Sequence, residues 1–242
     1  MSLRIGINGV GRIGKALMRV LVDVDDLELV AVNDLAEPAR LVELLRRDSF
    51  LGPFPGEIDR EGDHLTVAGR PVRAFREAEV SRIPWDDEGV ELVIEATGAH
   101  TAGRTAEGHL SDGVRHVVLS SNAEEADITV CYGVNHRELR PDRHRLISNA
   151  SCTTNCLAVV GRVLLREWGV ERALLNTVHC FNNSQRLTDA PNTDPRRARS
   201  AAVNMVPTTT GASSAIGLVL PELGERLDGF AVRVPAAQVS LI

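Results

Sequence analysis

The sequence predicts an α/β fold in two parts, and three observations carry that expectation. Near the N-terminus a short apolar strand runs into a glycine-rich turn and then a helix. Further short apolar strands follow, each ending in small or polar residues. Past residue 150 a helix opens on a cysteine and leads to a strand and a long polar loop. Residues 1–150 therefore read as a Rossmann-type doubly wound domain, and 151–242 as an α+β domain.

A chain of 242 residues can bury a real core in one large domain or two modest ones. Aromatic residues are only 3% of the chain, so Val, Leu, Ile and Ala must fill that core. A formal charge of −6 argues against nucleic acid as a partner, and the short cluster Arg196, Arg197 and Arg199 does not change this. Cys131, Cys152, Cys156 and Cys180 do not form a spaced disulfide framework, which points to a reducing cytoplasm. Cys152, Cys156 and His179 lack a second close ligand pair, so no metal is expected. The N-terminus enters the glycine turn without a signal peptide, and no apolar run reaches membrane-spanning length.

Leu3 to Asn8 reads as a buried strand. Gly9-Val10-Gly11-Arg12-Ile13-Gly14 follows in the order G-x-G-x-x-G. Lys15 to Val24 has helical periodicity, with Leu17, Val20, Leu21 and Val24 as its apolar face. Leu27 to Val32 is a second strand, closed by Asn33-Asp34. Gly9 permits the tight turn, Gly11 lets the backbone approach a pyrophosphate, and Gly14 lets the helix pack on the strand. Asp34, about twenty residues past Gly14, is placed to accept bonds from ribose hydroxyls and to repel a 2′-phosphate. NAD is the expected cofactor, with a flavin dinucleotide as the nearest alternative on the same fold.

Further strands are expected at Glu91–Glu95, His116–Leu119 and Asp127–Val130. Thr97 and Ser120, just past two of them, stand where ligands bind in such sheets, and ordinary turn chemistry explains them equally well. Glu77 to Glu79 and Asp86 to Glu88 read as solvated surface. His64, His100, His109, His116, His136 and His144 show no partner pattern and read as structural or exposed.

Ser151-Cys152-Thr153-Thr154-Asn155-Cys156 opens a helix whose apolar periodicity runs from Leu157 to Trp168. In a first helical turn, unpaired N–H groups and the helix dipole favour the thiolate of Cys152, a nucleophile for an electrophilic carbon. Ala173 to Val178 reads as a strand with His179 at its end, so thiol and imidazole can meet as nucleophile and base. Cys156 and Cys180 read as packing residues or passive thiols. The polar stretch from Phe181 to Asn204 is long enough to be functional or an interface. Thr210 and Gly211 open a helix over Ala212–Leu220, which makes either an N-cap or an anion site. Arg233, in an expected strand from Gly229 to Leu241, is a candidate for holding a phosphate.

Together these segments are familiar. Gly6 to Gly14, Asn33-Asp34-Leu35, Ser148 to Cys156, Thr177-Val178-His179, Pro207 to Ala212, Gly217 to Leu223 and Arg233-Val234-Pro235 resemble phosphorylating glyceraldehyde-3-phosphate dehydrogenases from end to end. The resemblance implies attack of Cys152 on an aldehyde, His179 as base, NAD as oxidant and cleavage of a thioester by inorganic phosphate. It also implies Gly9, Arg12, Ile13, Asp34, Arg76, Thr97, Ser120 and Asn183 as cofactor contacts. Ser151, Thr153, Thr210 and Gly211 would hold the attacking phosphate, and Arg197 and Arg233 the substrate phosphate. A homotetramer is implied, with Asn182 to Asn204 in its interface.

Three departures accompany the resemblance. Asn182 and Ser184 replace a threonine and an aspartate near the substrate phosphate, which opens the alternative of erythrose 4-phosphate or another aldehyde. Ser121 to Glu124 replaces Ala-Pro-Ala-Lys beside the nicotinamide. The sequence stops at Ile242, inside an apolar strand, so the catalytic domain is expected to be incomplete relative to the family. A shortened, weakly active NAD-binding protein is the alternative of a different class.

Overall fold

A computed structural model describes residues 2–100 and 103–242. The chain forms two compact units, one of residues 1–129 with 139–150, the other of 130–138 with 151–242.

The first unit runs β1 (Leu3–Asn8), α1 (Arg12–Leu21), β2 (Leu27–Asn33), α2 (Pro38–Arg46), then a small hairpin of β3 (Arg47–Asp48) and β4 (Gly52–Pro53). It continues through β5 (Ile58–Glu61), β6 (His64–Val67), β7 (Arg70–Phe75), β8 (Leu92–Glu95), β9 (His116–Leu119), β10 (Ile128–Thr129) and β11 (Leu146–Ser148). Among the described residues the main sheet has the order β10-β11-β9-β8-β1-β2-β7-β6-β5. Neighbours from β10 to β7 are parallel, and the last two pairings are antiparallel.

The central strands are apolar almost throughout because both faces are covered. Along β2, Leu29 and Val32 enter one buried cluster with Ile5, Met18 and Leu45, while Val30 and Ala31 enter another with Trp85, Val93 and Leu119. From β1 the chain moves to β2 on one side and later returns to β8 on the other. That reversal opens a crevice at the C-terminal end of β1, where such sheets take their ligands.

Helix α1 differs from the expected Lys15–Val24. It starts at Arg12 with Gly11 as N-cap and ends at Leu21. The face it buries is Gly14, Met18 and Leu21, a helical i, i+4, i+7 set, and Val20 is 61% exposed. The strand expected at Asp127–Val130 is only the two-residue β10, which ends with Thr129 opposite Ser148, the last residue of its partner β11.

The second unit contains α3 (Cys152–Glu167), β12 (Ala173–Cys180), β13 (Val206–Thr208), α4 (Ala212–Val219), α5 (Pro221–Gly224), β14 (Leu227–Val234) and β15 (Ser240–Leu241). Its sheet has the order β13-β14-β12-β15, with β12 and β14 parallel. The expected strand Gly229–Leu241 is two strands. Pro235 has no N–H to continue the ladder, Ala236 N donates to Val234 O at 2.7 Å, and the chain returns antiparallel to β12. Leu175, Thr177 and His179 of β12 are buried, while Leu174, Asn176 and Val178 on the other face are exposed. Helix α3 buries Thr153, Thr154, Ala158 and Gly161, and its Val159, Val160, Val163 and Leu164 are exposed. Among the described residues no helix is long and apolar enough to cross a membrane.

Candidate active site

Five adjacent parallel strands of the first unit, β9, β8, β1, β2 and β7, end beside Ser120, Thr97, Gly9, Asp34 and Arg76. The fold thus brings these expected cofactor residues to one sheet edge. Gly9 has φ +93°, a backbone region that side chains rarely adopt, and a Cβ there would lie 2.8 Å from Thr97 atoms. A Cβ on Gly11 would meet nothing within 4 Å, so that backbone faces open space. A Cβ on Gly14 would lie 2.0 Å from Gly9 O, so only glycine allows α1 this close to the turn. Helix α1 has no side-chain cap and no acid in its first turn, so its dipole favours an anion there.

Asp34 accepts from Val10 N at 2.8 Å with Oδ2 and from Ala36 N at 2.9 Å with Oδ1. Each oxygen keeps a lone pair for a ribose hydroxyl. Arg12 stands over the Phe50 ring at 5.9 Å, and Ile13 is exposed beside it. Arg76 is exposed, 3.8 Å from Glu37. Ser120 N donates to Glu95 O at 3.0 Å. These residues and contacts fit a dinucleotide. Asn183, expected with them, is an exposed residue of the second unit.

Cys152 is the first residue of α3, and His179 lies on the buried face of β12. Cys152 Sγ is 3.2 Å from His179 Nε2. The hydrogen bond to His179 lowers the thiol's pKa most, burial opposes it, and the charge of His179 and the Thr153 hydroxyl and N–H lower it further, to about 7. Ser151 caps α3, its Oγ accepting from Thr154 N at 3.1 Å. Cys156, one turn on, is exposed.

Arg233 pairs with His179 across β14 and β12, its Nη1 donates to Cys180 O at 3.1 Å, and His179 Nδ1 lies 2.7 Å from the same oxygen. Its Nε is buried without a partner. Burial lowers the pKa of Arg233, the Cys152 charge opposes that, and the Arg197 charge adds to it. Arg197 donates to Thr208 Oγ1 through Nε (3.0 Å) and Nη2 (2.7 Å). Two guanidinium groups that repel each other, one with an unused N–H, form a site suited to a phosphate. Thr210 Oγ1 accepts from Ala212 N at 3.2 Å, and Gly211 is the N-cap of α4, which packs against α3. Asn182 Oδ1 is taken up locally by Ser184 N (3.0 Å) and Oγ (2.6 Å).

Sequence reasoning missed the pairing of Arg233 with His179 and the use of Thr208 by Arg197. Neither leaves a trace in spacing, because both are cross-strand or loop contacts between distant segments. It also missed that His109 is buried against Glu95 and Trp85.

Comparison with known proteins matches residues 3–103 to the NAD binding domain of glyceraldehyde 3-phosphate dehydrogenase, and residues 151–242 to the C-terminal domain of the same enzyme. The chain is 45% identical over 239 residues to glyceraldehyde-3-phosphate dehydrogenase 1 of Bacillus cereus, covering 99% of this chain and 72% of that relative. It is 48% identical over 240 residues to the Kitasatospora aureofaciens enzyme, with the same coverage. Against the Geobacillus stearothermophilus enzyme it is 43% identical over 242 residues, covering all of this chain and 72% of the relative.

Proposed function

The chain belongs to the glyceraldehyde-3-phosphate dehydrogenase family, and on that premise we propose that it oxidises glyceraldehyde 3-phosphate with NAD and inorganic phosphate to 1,3-bisphosphoglycerate. The observation that carries this is the pair of Cys152 Sγ and His179 Nε2, 3.2 Å apart, with the thiol's pKa at about 7. At neutral pH about half of such a thiol is thiolate.

Cys152 attacks the aldehyde carbon, the C=O electron pair moves onto oxygen, and protonated His179 supplies the proton that makes a thiohemiacetal. His179 then takes the hydroxyl proton as the carbon is oxidised to a thioester. NAD, when bound, supplies the two-electron acceptor. Phosphate adds to the thioester, and Cys152 leaves as a thiolate, the better leaving group for its lowered pKa. Residues 1–150 hold NAD through Gly9, Gly11, Arg12, Ile13, Gly14, Asp34, Arg76, Thr97 and Ser120. Arg197, Arg233 and Asn182 take the substrate phosphate, and Ser151, Thr153, Thr210 and Gly211 take the attacking one. The enzyme works in the cytoplasm as a homotetramer.

The test is nicotinamide absorbance with glyceraldehyde 3-phosphate. Rapid NADH formation that requires phosphate and vanishes in Cys152→Ser is expected. Turnover that ignores phosphate rejects the phosphorylating reaction, and a parallel assay on erythrose 4-phosphate ranks the two aldehydes.

A further inference from the structure

Beneath the glycine turn of the first unit lies a buried carboxylate that the chemistry above does not use. Glu95, at the end of β8, is 3% exposed, and His109 beside it is 1% exposed. Glu95 Oε2 accepts from Asn8 Nδ2 at 2.6 Å and from His109 Nε2 at 3.1 Å. Glu95 Oε1 accepts from Thr97 N at 2.7 Å and from the Thr97 hydroxyl.

The direction of every bond follows from the inventory of donors. Trp85 Nε1 is a donor only, and it reaches His109 Nδ1 at 3.0 Å, so Nδ1 accepts and Nε2 carries the proton given to Glu95. Among the described residues no lysine or arginine forms an ion pair with Glu95. Burial works against its charge, yet the bonds from His109, Thr97 and Asn8 outweigh burial, and its pKa lies below the ordinary value. Only an ionised carboxylate accepts from four donors at once. A glutamine would turn an NH₂ group against N–H groups.

The donors are not scattered through the core. Asn8 immediately precedes Gly9, and Thr97 is the residue on which the missing Cβ of Gly9 would land. Asn8 Oδ1 also accepts from Asn33 Nδ2 at 2.8 Å, and Asn33 immediately precedes Asp34. Gly9 N donates to Asn33 O and Ala96 N to Asn8 O, each at 2.8 Å. One carboxylate thus fixes the turn after β1 and the turn after β8, and through Asn33 the turn after β2.

We infer that Glu95, held by His109 and Asn8, is a positioning residue for NAD: it sets the Thr97 loop against the Gly9 turn before the cofactor arrives. The inference rests on the NAD reading of this edge. It assigns Glu95 no contact with the cofactor, and its effect passes through Thr97.

Calorimetric NAD titration of the whole protein tests it, using Glu95→Gln, Thr97→Val and the double variant, each first checked for folding by circular dichroism. A role through Thr97 predicts that each single change weakens NAD about tenfold and that the double variant is weakened about tenfold too, not a hundredfold. The rate of Cys152 alkylation without NAD stays within about twofold of wild type in all three, which a general loss of structure would not allow. Wild-type affinity in Glu95→Gln, or losses that multiply in the double variant, overturns the inference while leaving the NAD reading intact. Wild-type protein that takes up no NAD overturns both. Thr97 is exposed, so Thr97→Val keeps the test alive if Glu95→Gln does not fold. Unchanged NAD affinity in Thr97→Val rejects the positioning role.

Discussion

A thiol with a pKa of about 7 instead of 9 changes how Cys152 reacts with any electrophile. Only the thiolate reacts, so alkylation by iodoacetamide rises with pH, reaches half its maximum near pH 7 and is flat above about pH 8. His179 supplies the largest share of the lowering. In His179→Asn the midpoint moves up toward an ordinary thiol, and the rate at pH 7 falls about tenfold or more. A midpoint that stays near 7 in that variant assigns the effect to the helix terminus instead. Cys152 was legible in the sequence because a helix start following a strand is a local pattern. The partner contacts of Arg233 were not, since they depend on which residue of β14 stands opposite His179.

Elements show the same division. The G-x-G-x-x-G turn, the strand before it and the acid after the next strand are spaced by local geometry, and β1 and β2 lie where the pattern placed them. The bounds of α1 were shifted because the helix begins inside the glycine turn, where no side chain marks a start. Gly14 is the element's critical contact. Gly14→Ala puts a methyl group 2.0 Å from Gly9 O, a backbone atom that cannot swing aside. Thermal unfolding of that variant is expected to show a loss of about 1–3 kcal/mol, with NAD affinity falling alongside. Unchanged stability and affinity mean that α1 tolerates displacement. The strand expected over Gly229–Leu241 failed at Pro235, where apolar content continued but the ladder could not.

At the scale of the whole molecule, the sheet of the second unit leaves Leu174 (89% exposed), Val178, Phe230 and Leu241 on its surface. Exposed apolar patches of this kind mark contact surfaces. Light scattering during size exclusion is expected to give a multiple of the monomer mass, and the double variant Leu174→Lys with Phe230→Lys a smaller assembly. An assembly indifferent to that charge places the contact elsewhere. Sequence by itself determined the fold class, the glycine turn, and the helix start and strand end that carry Cys152 and His179. Each follows from short-range rules: backbone freedom at glycine, periodicity of apolar residues, and free N–H groups at a helix start. Tertiary structure alone decided the rest. The five strand ends become one edge only through the order of the sheet, Arg197 and Arg233 approach only across β13 and β14, and Glu95 meets His109 only because separate segments close over a shared core. Contacts between residues far apart in the chain depend on how the layers stack, and no local spacing encodes that.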